Sequence, residues 1–178
     1  DDDSDTEYDE NGYDEHGRDQ YGYDENNTQP DETDGTIFNR YFQFDGDTYD
    51  RVTVTEIQVR EGTTRINNKA LYYCNELVRV ILPDSVTEIG EEAYSFCPKL
   101  VTINIPDSVT SIGASAFLLC HALTTIPSFP PTLTSIGEWA FAGCDALTSI
   151  PSFPASLTSI GDSAFAECSK LVSIPSFP

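Results

Sequence analysis

The chain has 178 residues, 30 acidic and 9 basic side chains, and a net charge of −21. That balance argues against a nucleic-acid partner, which needs clustered Lys and Arg, and against docking on anionic lipid. No apolar run reaches the roughly 18 residues of a membrane-spanning helix, so no membrane insertion is expected in this segment. The chain contains no Met, starts at Asp1 and shows no signal-peptide pattern, so a processed product or an excised fragment is expected.

The first 35 residues hold 15 acids against one base, Arg18. They contain no Leu, Ile, Val, Ala or Phe and cannot bury enough apolar surface to offset the entropy of ordering, so residues 1–35 are expected to be disordered. A five-residue repeat runs through them, from Tyr8-Asp9-Glu10-Asn11-Gly12 to Tyr23-Asp24-Glu25-Asn26-Asn27. Read physically, this is a solvated, self-repelling spacer. A calcium-binding tail is the competing reading, without the spacing of an EF-hand. Tyr8, Tyr13 and Tyr23 stand in acidic surroundings that suit sulfation, and Ser4 and Thr6 suit phosphorylation. Asn26-Asn27-Thr28 is a formal N-glycosylation sequon, which makes Asn26 an acceptor if the chain is secreted. Residues 36–53 include the aromatic stretch Ile37-Phe38-Asn39-Arg40-Tyr41-Phe42-Gln43-Phe44, read as an N-terminal cap on the remainder of the chain.

From residue 54 to 178 a single period governs the chain. Cys74, Cys97, Cys120, Cys144 and Cys168 are separated by 23, 23, 24 and 24 residues. Leu77, Leu100, Leu123, Leu147 and Leu171 each come three residues after a cysteine. Ile-Gly pairs recur at 89–90, 112–113, 136–137 and 160–161, followed by Ala-Tyr or Ala-Phe. Five repeats and a truncated sixth result, and such a period is the mark of a solenoid.

Within each repeat, Leu77-x-x-Val80-x-Leu82 and its counterparts carry the period-2 pattern of a short strand, ended by Pro83 or Pro106. In the Ile-Pro-Ser-Phe-Pro copies, Pro127 and Pro151 arrive earlier, and shorter strands are expected, with Phe129 and Phe153 replacing a lost aliphatic. Val109-Thr110-Ser111-Ile112-Gly113 reads as a second extended stretch closed by a glycine turn. Asn67 holds the glycine position in the first copy, and Asn tolerates left-handed geometry. Ala116 to Leu123 has helix-like apolar spacing and predicts a helical turn. The fold expected is therefore a β-rich α/β solenoid: a stack of 23–24-residue coils, with a parallel β-sheet face and short helical turns. Leu171, Ile174 and Phe177 would face solvent at the C-terminal side, which admits end-to-end self-association.

The copy Leu-Val-Thr-Ile-Asn-Ile-Pro-Asp-Ser-Val-Thr-Ser-Ile-Gly-Ala-Ser-Ala-Phe-Leu-Leu-Cys, from Leu100 to Cys120, resembles the BspA-like, or treponemal-type, leucine-rich repeat. The resemblance covers residues 52–178. It implies a binding or adhesion protein without catalytic residues, at the cell surface or secreted; the alternative is a cytoplasmic scaffold, or part of a larger multidomain protein in which the repeats only position another domain.

No cofactor motif, phosphate loop, metal-ligand spacing or Ser-His-Asp grouping is evident. The cysteines read as a ladder of small buried hydrophobes rather than disulfides or zinc ligands. His121 falls at a variable position, and so does Trp139, which is either an exposed anchor or partly covered by the next coil. A partner protein is expected on outward strand positions. These are Thr55, Glu56 and Gln58; Val78, Arg79 and Ile81; Val101, Thr102 and Asn104; Thr124 and Thr125; Thr148 and Ser149; Val172 and Ser173.

Overall fold

A computed structural model describes residues 38–39, 55–59 and 61–178. The expectations for the acidic tail, Asn26 and most of the 36–53 segment lie outside the described residues.

The coils stack so that equivalent residues lie in columns, and two parallel sheets run along the stack. In the first, β2 (Glu56–Val59), β4 (Arg79–Ile81) and β6 (Thr102–Ile103) pair in parallel, with Ile57 beside Val80 and Val80 beside Ile103. The strand β1 (Phe38–Asn39) lies antiparallel on the outer edge of β2. In the second sheet, β3 (Arg65–Ile66), β5 (Glu88–Ile89), β7 (Ser111–Ile112), β8 (Ser135–Ile136) and β9 (Ser159–Ile160) pair in parallel, with the isoleucines aligned. Successive strand side chains point to opposite faces, so Ile57, Val80 and Ile103 enter the core while Glu56, Arg79 and Thr102 turn outward.

Proline sets the length of the first sheet. Beyond β6 it continues only as a bridge from Thr102 to Thr125. Pro127 and Pro151 give the ladder no N–H. Phe129 and Phe153 fill the core there, their rings stacked 5.7 Å apart, wider than the ordinary strand spacing of about 4.8 Å. So the shortened strands expected in these copies are reduced to a single bridge.

The helical turns are a correction: there is no helix among the described residues. The segment after each Ile-Gly, or after Ile66-Asn67 in the first coil, is an arc of consecutive tight turns. In the second coil Ala93 N–H bonds Gly90 O and Ser95 N–H bonds Glu92 O within the arc. The alternate amides leave the coil, with Glu92, Tyr94 and Phe96 donating to Ala114, Ala116 and Leu118 of the next. A left-handed residue at every fourth position makes this possible, as at Glu92 (φ 53°) and Phe96 (φ 59°). Apolar side chains thus recur at a spacing close to a helical period, while the backbone is bonded between coils. Nine of the described non-glycine residues adopt this conformation, at a cost of about 1–2 kcal/mol each, offset by the bonds between coils.

The glycine column serves another purpose than the expected turn. Gly90, Gly113, Gly137 and Gly161 do not have positive φ, and neither does Asn67. A Cβ on Gly137 would lie 2.4 Å from Ala114 N and 2.5 Å from Gly113 C. The coils meet backbone to backbone here, and only a hydrogen fits. That Cβ would point toward the preceding coil, and Asn67 holds the equivalent position in the first coil.

The core is one continuous strip of Leu, Ile, Val, Ala, Cys and Phe columns. The rings of Tyr94, Phe117, Phe141 and Phe165 stack at 5.0–5.3 Å with planes within 8°. Tyr94 is the odd member: its hydroxyl is buried without a hydrogen-bond partner. Toward the C-terminal side Leu171 packs against the core, while Ile174 and Phe177 are exposed.

This packing has two measurable outcomes. Gly137→Ala should lower stability by at least about 2 kcal/mol, because backbone rather than a side chain must move; a thermal melt within a degree of wild type would refute the close approach. Tyr94→Phe should raise stability by about 1 kcal/mol, since it removes an unpaired buried hydroxyl, read as an upward shift in the denaturation midpoint.

Candidate binding surface

Every residue expected on the outward face of the first sheet is found exposed or half-buried there. Thr55, Val78, Val101 and Thr124 form one column, joined by Val78 N–H to Thr55 O (2.7 Å), Val101 N–H to Val78 O (3.0 Å) and Thr124 N–H to Val101 O (3.1 Å). Glu56, Arg79, Thr102 and Thr125 form the next column, and Gln58 and Ile81 stand side by side beyond it. Thr148, Ser149, Val172 and Ser173 continue in the equivalent positions of later coils without strand pairing.

The face is uneven in chemistry. Val78 and Val101, 39% and 38% exposed, make an apolar patch in one column, and half-buried Ile81 lies beyond the Arg79 column. Arg79 at its edge pairs with Glu56 at 3.5 Å, an exposed contact of small energetic weight. Asn104 departs from the expected role: its amide donates to Leu82 O (3.0 Å) and accepts from Leu82 N–H (3.1 Å). It replaces a backbone rung and is tied into the scaffold.

Ion pairs run from one coil to the next: Arg65–Glu88, Lys69–Glu92 and Lys99–Glu76 join the first coil to the second. Beside them a column of threonine hydroxyls runs along the stack. Thr87, Thr110, Thr134 and Thr158 each send both N–H and Oγ1–H to the carbonyl of the residue before them in the column.

The cysteine column does more than fill space. Cys97, Cys120, Cys144 and Cys168 point Sγ–H at the carbonyls of Leu71, Tyr94, Phe117 and Phe141, at 3.1–3.4 Å. None of the five is in a disulfide, and burial pushes Cys120 up to about 12 and raises Cys144 and Cys168 as well. Thiols held protonated in this way are poor nucleophiles and poor metal ligands.

One grouping was not foreseen. His121 Nδ1 lies 2.8 Å from Asp145 Oδ2, and Ser169 Oγ donates to Asp145 Oδ1 at 3.2 Å. The three share the repeat position just after the cysteine, a signal that was readable in the spacing. The carboxylate stands between the other two, so the histidine does not reach the serine hydroxyl as a general base would. Among the described residues no three His, Cys, Asp or Glu side chains stand close enough to hold a metal. No described helix is long and apolar enough to cross a membrane.

The profile of the BspA type leucine rich repeat region matches residues 44–172 in six copies. The chain belongs to the BspA-type leucine-rich-repeat family. The match begins inside the segment expected to be a cap. A leucine-rich-repeat protein of T. pallidum is 31% identical with a TM-score of 0.61, over 78% of this chain and 67% of that one. A leucine-rich-repeat protein of Bacteroides ovatus is 34% identical with a TM-score of 0.56, over 78% of this chain and 39% of that one. A leucine-rich cell surface protein of Faecalibacterium prausnitzii is 35% identical with a TM-score of 0.64, over 70% of this chain and 33% of that one. The chain thus spans about two thirds of the treponemal protein and well under half of the other two. No curated protein matches the sequence. BspA-type repeats are scaffolds, typically non-enzymatic, and leucine-rich repeats commonly bind proteins.

The cysteine column yields two expectations. Cys168, the half-buried member, should react first with a thiol reagent in the native protein, and the other four only on unfolding; equal rates at all five would contradict the burial. Unfolded thiols ionise near their ordinary value of 9.0, while folded Cys120 holds its proton to about 12. The unfolded state therefore binds fewer protons in that window, and stability falls as pH rises through it. Melting temperature should drop steeply from pH 8 to 10.5, and Cys120→Ser should show a shallower drop.

Proposed function

We propose that this chain is a non-catalytic adhesion or protein-interaction module at the cell surface, engaging its partner through the first-sheet face. The observation that carries this reading is the Val78–Val101 pair: two exposed aliphatic side chains on successive coils of a bonded backbone face, with half-buried Ile81 beyond the Arg79 column. A β-branched side chain on a strand needs no ligand to justify it, but exposed apolar side chains on successive coils lower solubility unless they are covered in use. The rest of the face is neutral, with Arg79 already held by Glu56, so apolar contact and hydrogen bonding supply the affinity. The rigid stack fixes the patch before binding, which reduces the entropy lost on association. Surface location draws support from the Faecalibacterium relative, which is described as a cell surface protein.

The test is binding of the purified chain to purified extracellular-matrix proteins and to intact cells, before and after Val78→Glu with Val101→Glu. The double variant should bind at least tenfold more weakly at unchanged melting temperature. Thr134→Glu on the second sheet should leave binding intact. Equal binding by the two variants would remove the first sheet from the reading.

A further inference from the structure

The arc, on a different side of the coil from the first sheet, carries an aromatic–carboxylate pair in the fourth coil. Trp139 is 39% exposed and adopts φ 56°. Its indole N–H donates to Glu138 Oε1 at 2.9 Å, which fixes the ring beside a carboxylate. Its backbone N–H donates to Asp162 O at 3.0 Å, and Asp162 is the residue that succeeds Glu138 in the column one coil on. An aromatic ring therefore stands on the surface beside Glu138, and Asp162 comes next in the adjoining coil.

The same arc, built from other positions, holds a cation between a ring and a carboxylate elsewhere in the molecule. In the first two coils Lys69 Nζ lies 5.8 Å from the centre of the Tyr72 ring and 3.7 Å from Glu92 Oε1. Ring and carboxylate there share a cation, the combination in which a cation–π contact and an ion pair reinforce each other. Trp139 occupies the same column as Lys69, three coils along. There the chain brings ring and carboxylate but no cation, since no Lys or Arg occurs between Lys99 and Lys170. Tryptophan is the strongest aromatic partner for a cation, and Arg is the cation that also stacks on flat rings.

We infer that Trp139 and Glu138, supported by Asp162, form a receptor for an arginine or lysine side chain of a partner polypeptide. The partner's cation sits over the indole face and pairs with the carboxylates, completing in the fourth coil what Lys69 completes within the first two. This surface is separate from the first-sheet face, and the partner is a basic polypeptide segment. Recognition through one ring and two exposed carboxylates is weak for a single side chain, so a segment with several basic residues is favoured.

The probe is a short peptide of alternating Arg and Gly, with its citrulline counterpart as a neutral match in shape. Trp139 is the sole tryptophan of the chain, so its fluorescence reads this site alone, even where the acidic N-terminal residues also attract the peptide. The arginine peptide should change the emission saturably, and the citrulline peptide should not. Glu138→Gln should weaken the arginine titration at least fivefold at unchanged melting temperature, and Asp162→Asn should weaken it by a smaller factor. No saturable change, an equal response to citrulline, or a titration untouched by Glu138→Gln would each overturn the inference.

Discussion

The distance between one coil's backbone and the next governs the rest of the structure. At the glycine column coils meet with no room for a methyl group, and that contact draws neighbouring Ile columns into the core in register. Only then do arc amides reach the carbonyls ahead of them and strand amides the carbonyls behind. A coil alone satisfies neither its backbone nor its apolar side, so order is a property of the stack.

The columns turn one packing solution into many. A thiol aimed at a carbonyl, a ring laid on a ring and a threonine bonded to the coil behind are each worth little alone, but each recurs along the stack. Departures from the pattern are correspondingly informative. Tyr94 adds a hydroxyl with no partner inside an otherwise phenylalanine stack. Asn104 substitutes a side chain for a rung. Trp139 stands exposed in the column where Lys69 and Glu92 pair.

The period, the core columns and the outward face were all legible in the sequence, because a solenoid writes each spatial column as a fixed spacing. The arc was not. Ala116, Phe117, Cys120 and Leu123 keep a spacing that a helix and a run of tight turns share, and only left-handed backbone at Ser115 and Leu119 separates the two. Neither residue announces that geometry, since the expected signal is glycine. The same prior misread Gly113 and Gly137, whose value lies in lacking a side chain rather than in turning the chain. The His121–Asp145–Ser169 group was recoverable from spacing, but a variable position gave no reason to look. The binding surfaces were legible only as geometry, because exposure can be read from a strand and a partner cannot.

The arc bonds have a sense of direction. In every coil whose arc is bonded forward, alternate arc carbonyls face the coil before and alternate amides face the coil after. The peptide dipoles in these rows therefore add rather than alternate, unlike those of an ordinary sheet. The two ends of such a row are chemically unlike, one presenting acceptors and the other donors. A coil turned end for end would set donor against donor, so arcs join only head to tail.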